Sequence, residues 1–355
     1  MTRIERVLEQ MKKRHLSQLL ICDPASINYM TGVRVYPGER FLAFLLKNDG
    51  WHVLFANHMF DIPAVPFEVV RYGDSDDTTA LLLEHLNTGR TLGVDVLWPA
   101  RFLIPLQERC PQLKTILGSD CVDDVRAIKD EEEQEKMREA SRINDIVIEK
   151  AKQQIKAGVT EKELARFIDQ EYLNQGAQGN SFPSIVSFGA NAADPHHGPD
   201  DTVLKENEVV LFDIGCIKDG YCSDMTRTYF YKGADEEMIA VHDLVRQANE
   251  RAESIIKPGV RLCDIDATAR DLITEAGYGQ YFTHRLGHFI GTVVHEKGDV
   301  SAAYENEVVP GMTFSIEPGV YLPGRFGVRI EDLVLVTEDG CEVLNHADKK
   351  YEIIK

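Results

Sequence analysis

Apolar positions recur along the chain with two different periods. Ile4, Val7, Leu8 and Met11 are three to four residues apart, which predicts a helix over residues 3–13. Leu19-Leu20-Ile21 is a short apolar run of the kind that makes a buried strand. Apolar runs at 41–46 and 52–55 flank Asn48-Asp49-Gly50, which predicts a hairpin turn. Helical stretches near 77–87 and 99–109 alternate with short strands near 68–71, 91–95 and 114–117. The pattern predicts an α/β domain, and it carries no compact cluster of catalytic residue types.

A charged stretch from Asp123 to Glu133 follows, expected to be a solvated linker running into the acidic first turn of a helix. Met137, Ala140, Ile143, Val147, Ala151 and Ile155 form the apolar stripe of that helix. The boundary is expected near 125, giving domains 1–125 and 126–355. The second part repeats itself. Ile155-Lys156-Ala157-Gly158-Val159 returns as Ile256-Lys257-Pro258-Gly259-Val260, offset by 101. Each copy is expected to end a long helix at a C-cap glycine and to precede a second helix. The first of these opens with a capping box, Thr160 to Glu163. The second helices end at Gly176 and Gly277, again 101 apart. A later apolar strand closes in Asp213-Ile214-Gly215 in one copy and Glu317-Pro318-Gly319 in the other, offset by 104. Neither copy buries a sheet face well alone. The two are expected to merge into an α+β domain, one curved antiparallel sheet with helices outside.

The length of 355 residues suits two domains at roughly 100–200 residues each. Lys plus Arg number 39 against 58 Asp plus Glu, a net charge of -19. Such a surface repels phosphate backbones and anionic lipid, so nucleic-acid and membrane partners are disfavoured. The surplus carboxylates are also a supply of metal ligands. Seven cysteines (Cys22, Cys110, Cys121, Cys216, Cys222, Cys263 and Cys341) show no C-x-x-C spacing, so neither a disulfide framework nor a thiolate zinc site is indicated. The N-terminus is charged and no apolar run approaches the ~18–20 residues of a span. Scattered thiols without a leader are expected of a cytoplasmic protein, as small buried hydrophobes.

Four acids stand out. Asp213 ends the apolar run Val209-Val210-Leu211-Phe212, and Asp224 lies in Cys222-Ser223-Asp224-Met225. Glu317 follows Phe314-Ser315-Ile316, and Glu331 follows Val328-Arg329-Ile330. In such segments a carboxylate is costly unless paired or bound to metal. Two from each copy would converge across a pseudo-twofold axis, and like charges packed that closely repel unless cations sit between them. His284, His288 and His295 fall in one stretch, three of the chain's 11 histidines. One imidazole with four carboxylates is a mixed N/O set that suits Mn(II), Co(II), Fe(II) or Zn(II) better than Ca or Mg. Two bridging carboxylates would hold two such ions ~3.5–4 Å apart with water between them, and hydrolysis is the reaction this favours.

The order Asp213, Asp224, His288 in His284-Arg285-Leu286-Gly287-His288, Glu317 in Ser315-Ile316-Glu317-Pro318-Gly319 and Glu331 in Arg329-Ile330-Glu331-Asp332 resembles the pita-bread metallopeptidases. That family includes methionine aminopeptidase, aminopeptidase P and prolidase. The resemblance extends to the N-terminal part: Ala25-Ser26-Ile27-Asn28-Tyr29-Met30-Thr31-Gly32 and Gly93-Val94-Asp95 resemble the N-terminal domain of prolidase, aminopeptidase P and creatinase. Arg126-Ala127-Ile128-Lys129-Asp130 with Glu133 resembles the family's linker.

The resemblance implies a role for each position. Asp213 chelates one metal, His288 and Glu317 hold the other, and Asp224 and Glu331 bridge both; Glu317 also counts among the catalytic residues. Two divalent ions per chain are implied, Mn(II) first, with Co(II), Zn(II) or Fe(II) as alternatives. His196 contacts substrate or transition state, with His197 its bland neighbour. His295 is a donor to the tetrahedral intermediate. His284 is a substrate-pocket histidine near the proline ring. Arg329 shares a strand face with Glu331 and either orients substrate or steadies a metal carboxylate. A homodimer is implied, with the N-terminal domain covering the partner's active site. Residues 33–40 are the candidate lid, in which Arg40 or Arg34 binds a dipeptide's free carboxylate. Phe289 and Lys297-Gly298-Asp299 depart from the family pattern, in the presumed substrate pocket.

The expected function is therefore a dinuclear-metal hydrolase cleaving Xaa-Pro dipeptides through a metal-bridging hydroxide. Aminopeptidase P, acting on longer peptides, is the first alternative; the compact N-terminal part favours the prolidase type. A non-catalytic binding protein of the same fold would be expected to lose ligands, and none is lost. Creatinase does not use the metal site, and methionine aminopeptidase lacks the N-terminal domain.

Overall fold

In the computed structural model, which describes all 355 residues, the helix expected at the start is α1 (Arg3–Lys13), opened by a capping box between Thr2 and Glu5. The chain divides into two units, Met1–Arg126 and Ala127–Lys355. In the first, α1 leads to β1 (Gln18–Ile21), α2 (Pro24–Thr31), the hairpin β2 (Ala43–Lys47) and β3 (Val53–Asn57), then β4 (Glu68–Tyr72). There follow α3 (Thr78–His85), β5 (Leu92–Val94), α4 (Ala100–Arg109), β6 (Thr115–Leu117) and α5 (Asp120–Ala127). The six strands form one mixed sheet in the order β4-β3-β2-β1-β5-β6. Its central strands are apolar on both faces for a reason visible in β1. Leu19 and Ile21 pack with Val7, Met11 and Val122 on one side, while Leu20 packs with Leu82, Leu106 and Trp98 on the other.

Two expectations need correction here. The helix α2 was not foreseen, although Asp23 caps it, accepting from the N–H groups of Ala25 and Ser26, Pro24 opens it, and Gly32 (φ 74°) ends it. The charged stretch 123–133 is not a solvated linker. Helix α5 runs into it, and Arg126, Lys129 and Glu133 are buried because each has a polar partner. Arg126 bonds Ser26 Oγ at 3.0 Å, Lys129 pairs with Glu296 at 2.9 Å, and Glu133 accepts from Tyr221 Oη at 2.7 Å.

The second unit follows the duplicated plan. Its first half holds α6 (Glu131–Lys152), α7 (Glu161–Asn174), β7 (Gly179–Asn180), β8 (Ile185–Phe188), β9 (Glu208–Ile214), β10 (Cys216–Lys218), β11 (Tyr221–Cys222) and β12 (Met225–Tyr231). The second half holds α8 (Glu236–Ser254), α9 (Leu262–Glu275), β13 (Gly287–Phe289), β14 (Glu296–Val300), β15 (Thr313–Ile316), β16 (Gly319–Leu322), β17 (Phe326–Arg329), β18 (Asp332–Val336), β19 (Cys341–Val343) and β20 (Ile353–Ile354). Each helix pair packs on its own half's strands. Ile143, Val147 and Ile168 meet Val210 and Phe212, and Val241, Val245 and Ile265 meet Phe314 and Ile316. Gly158 and Gly259 are not helix caps: α6 and α8 stop at Lys152 and Ser254, and the glycines (φ 83° and 88°) lie in the turns beyond. Those turns send Ile155 and Ile256 back into the two cores. Gly176 and Gly277 do follow the ends of α7 and α9, both at positive φ.

Hydrogen bonding divides the strands into a four-stranded sheet β20-β12-β9-β8, a five-stranded sheet β14-β13-β15-β18-β19 and two smaller ones. The seam between the halves is made largely by side chains. The buried Arg227 in β12 donates to the carbonyls of Thr226 and Glu331 and to Asp332, while Thr228 Oγ1 donates to the carbonyl of Arg329.

Candidate active site

The acids reach the seam by strand register. Asp213 near the end of β9 pairs with Thr226 in β12, so Asp224, just before β12, lies beside it. Ile316 pairs with Asp332, so Glu317, just after β15, lies beside Glu331, just before β18. The N–H of Glu331 donates to the carbonyl of Thr226 at 3.1 Å, which joins the two pairs. His288 comes from β13, whose Phe289 pairs with Phe314 in β15. Ligating atoms of Asp224, His288 and Glu331 lie within 4.8 Å of one another. His288 Nε2 is 3.5 Å from Asp224 Oδ2 and 3.6 Å from Glu317 Oε1.

Whether these residues suit a divalent centre can be read from their free valences. Buried Asp213 Oδ1 and Asp224 Oδ1 have no protein donor. His288 Nδ1 donates to the carbonyl of Phe289 at 3.2 Å, so Nε2 is the ring atom that faces the acids. Burial, with neighbouring carboxylates adding to it, pushes Asp224 and Glu331 well above the usual carboxyl range. Burial raises Glu317 to about 7. The protein alone therefore does not stabilise four negative charges here, and divalent cations would. The residues fit.

Other contacts hold the acids in place. Arg329, itself buried, donates from Nη2 to Asp213 Oδ2 at 2.6 Å, from Nη1 to Tyr321 Oη at 2.7 Å and from Nε to Thr226 Oγ1 at 3.0 Å. Thr226 Oγ1 in turn donates to Glu331 Oε2 at 2.8 Å. Tyr321 Oη faces His284 Nε2 at 2.8 Å, and His284 Nδ1 donates to the carbonyl of Arg285 at 2.7 Å. His284 is thus neutral, and burial lowers its pKa to about 4.

A cleft of about 670 Å³ opens over these groups, with Phe182, Pro183, Ile185 and Val294 on its apolar wall. His196, His284 and His295 also line it. His295 is exposed, and its ring packs edge-on against that of His288 with centroids 4.3 Å apart. The protein around it still removes enough water, with help from His288 and Arg285, to lower its pKa to about 4. His196 is exposed and close enough to depress both His284 and His295. His197, the neighbour expected to be bland, reaches Glu161 at 2.7 Å. Arg40 belongs to the first unit. Its Nε and Nη2 form a bidentate pair with Asp74 at 2.8 and 3.0 Å, so the expected free substrate-binding cation is committed within its own domain.

Residues 135–338 match the model of metallopeptidase family M24, and residues 3–128 match the creatinase/prolidase N-terminal domain. The chain belongs to metallopeptidase family M24. This M24 peptidase is 39% identical to an uncharacterized peptidase of Staphylococcus aureus, over 98% of this chain and 100% of the relative. It resembles the prolidase from Thermococcus sibiricus at 32% identity and a TM-score of 0.92, covering 98% of each chain. It resembles the X-Pro aminopeptidase from Thermotoga maritima at 31% identity and a TM-score of 0.87, covering 100% of each. No helix of the M24 peptidase is long and apolar enough to cross a membrane.

Several site residues escaped the sequence. Tyr321 and Thr226 lie in apolar strands and look like ordinary strand formers. Asn144 and Asn249 had a legible signal. Each is a polar residue on the apolar stripe of a long helix, and each is fully buried. Asn144 Nδ2 donates to the carbonyl of Ile214 and Asn249 Nδ2 to that of Ile316, both at 2.8 Å.

Proposed function

We propose that this M24 peptidase hydrolyses the bond before proline in Xaa-Pro dipeptides, using two divalent metal ions, with Mn(II) the first choice. The observation that carries the reading is the convergence of four acids and one imidazole beneath an apolar-walled cleft, with buried oxygens of Asp213 and Asp224 lacking any protein donor. In this reading Asp213 would hold one ion, His288 and Glu317 the other, with Asp224 and Glu331 shared. Bound there, the ions would supply Lewis acidity and a lowered pKa for water.

The remaining steps belong to the protein's own groups. Phe182, Pro183, Ile185 and Val294 offer an apolar surface to the proline ring. His295, neutral at working pH, donates an N–H to the carbonyl oxygen as charge develops there, and His196 contacts the same group from the facing segment. Glu317 would take the proton released by the attacking water and deliver it to the proline nitrogen as the carbon–nitrogen bond breaks. Arg329 has its donors committed to Asp213, Tyr321 and Thr226, so it steadies a metal carboxylate and does not bind substrate. His284 lines the pocket with both its nitrogens engaged, so it would contact substrate through its ring carbons. The same reading makes the enzyme a cytoplasmic homodimer, with exposed Arg34 as the cation left for the 33–40 lid.

Action on longer peptides is the second reading, supported by the match to the Thermotoga X-Pro aminopeptidase over the full length of both chains. That match removes the argument from a compact N-terminal domain. The deciding experiment strips the metal, adds back Mn(II), Co(II) or Zn(II), and assays Ala-Pro beside Ala-Pro-Ala and Ala-Ala. The expected result is no turnover when stripped, full turnover with two ions per chain, and preference for Ala-Pro. Undiminished activity after stripping, or equal turnover of Ala-Ala, overturns the reading.

A further inference from the structure

Glu161, the first residue of α7, is fully buried. Its Oε1 accepts from the N–H of Phe188 at 2.7 Å and from Asn191 Nδ2 at 3.0 Å. Its Oε2 accepts from His197 Nε2 at 2.7 Å and from the N–H of Asp200 at 3.1 Å. All four donors come from residues 188–200, the segment that brings His196 to the cleft. That segment has little structure of its own beyond one short 3-10 turn, Gly189–Ala193. The helix N-terminus favours a negative charge at this position.

Glu161, His197 and Asp200 also lie close enough, within 4.8 Å, for a cation site. The donor count argues otherwise. A carboxylate has about four acceptor positions, and each oxygen of Glu161 already receives two N–H groups. What this carboxylate holds is backbone and side chains of one loop.

We propose that Glu161 is a positioning residue whose buried carboxylate clamps residues 188–200 and so fixes where His196 enters the cleft. The proposal rests on the reading of His196 as a substrate-facing group. A displacement of about 1 Å in such a group lowers turnover by about 10²-fold. Replacing one carboxylate oxygen by an amide nitrogen, as in Glu161→Gln, sets an N–H against N–H donors and releases one side of the clamp. His197→Ala removes a single donor, and His197→Gln keeps one.

The test is a double-mutant cycle between Glu161→Gln and His196→Ala in the metal-loaded enzyme. Turnover and KM for Ala-Pro, metal content, and amide hydrogen exchange over 188–200 are measured together. His196→Ala alone should lower kcat by roughly 10²–10³. Glu161→Gln should lower kcat at least tenfold with metal content unchanged and exchange faster in 188–200 only. In the His196→Ala background it should lower kcat no further. His197→Ala should show the same pattern more weakly, with His197→Gln largely restored; this pair serves if Glu161→Gln fails to fold. Multiplicative losses in the double variant, or unchanged exchange in 188–200, overturn the clamp while leaving His196 in place. Normal kcat in His196→Ala overturns the reading of His196, and the purpose assigned to Glu161 with it.

Discussion

In the first half of the second unit, Asn144 on the long helix donates to the carbonyl beside Asp213; in the second half, Asn249 does the same beside Glu317, at the same 2.8 Å. Each half adds a second acid across a strand pair, Asp224 and Glu331. Beyond the acids the halves part. The second supplies His288 and His295 from β13 and the segment after it, close to the strands. The first supplies His196 from an irregular segment that must be clamped by Glu161. The duplication thus accounts for the scaffold and the carboxylates, and the imidazoles were placed by unlike means. A charge cluster tolerates symmetry because cations bound between the acids would neutralise it from either half. Directed N–H donors must sit on one side of one bond.

The largest effects should fall on the acids and should separate bridge from terminal ligand. Asp224→Ala and Glu331→Ala, one from each half, should both abolish turnover, well beyond the roughly 10²–10³ of a single lost donor, and both should lower metal content. Asp213→Ala should keep one ion and a trace of activity. Metal analysis per chain beside kcat decides this; two ions and normal turnover in the Asp224 variant would end the bridging assignment. Next come the histidines. His196→Ala and His295→Ala should each lower kcat by roughly 10²–10³ with metal content near wild type. Loss of metal from either variant would show that it is a ligand.

Much of this was legible in the chain. Spacing alone located the first unit's six strands and three of its five helices, α1, α3 and α4, because apolar runs and turn residues mark a sheet with a buried core. Asp213, Asp224, Glu317 and Glu331 could be picked out because an acid beside an apolar strand contradicts its surroundings. Burial of Lys129 and Glu133 was hidden. Each pairs with a residue far along the chain, Glu296 and Tyr221, and a local reading sees only a charge run. The pairing of Arg40 was hidden for the same reason, its partner Asp74 being 34 residues away. The seam through Arg227 and Thr228 is made by side chains, which leave no periodic trace.

The supporting asparagines should give smaller, matched effects. Asn144→Ala and Asn249→Ala each leave a buried carbonyl without its donor, costing about 1–3 kcal/mol of stability. Each also loosens a strand that leads to a proposed metal ligand, so affinity for Mn(II), titrated by calorimetry, should fall by about 10–100-fold in both. Equal losses would extend the symmetry of the halves to their energetics. A loss in only one variant would break it.

The smallest effect concerns a position where the halves differ outright. Seven residues before each asparagine stand Met137 in α6 and His242 in α8, both buried. His242 Nε2 donates to the carbonyl of Thr228 at 3.0 Å, and Nδ1 is buried without a partner. Phe230 and Tyr351 pack on its ring; Asp243 favours its charge, and Arg246 and Arg227 oppose it. Burial, the largest cause, lowers its pKa to about 4. The unfolded value is near 6.5. A depressed pKa means that its contribution is complete above about pH 6.5 and is lost as pH falls through about 4. Stability should therefore decline across that window, by at most about 1.4 kcal/mol per pH unit from this one proton. His242→Met gives the second half the residue of the first. At pH 8 it should be less stable by about 1 kcal/mol, for the lost bond to Thr228. Between pH 6.5 and 4 its decline should be shallower than wild type, with His284, also near 4, supplying part of what remains. Urea unfolding across that range measures both, and parallel curves for the two proteins would show that His242 does not titrate with folding.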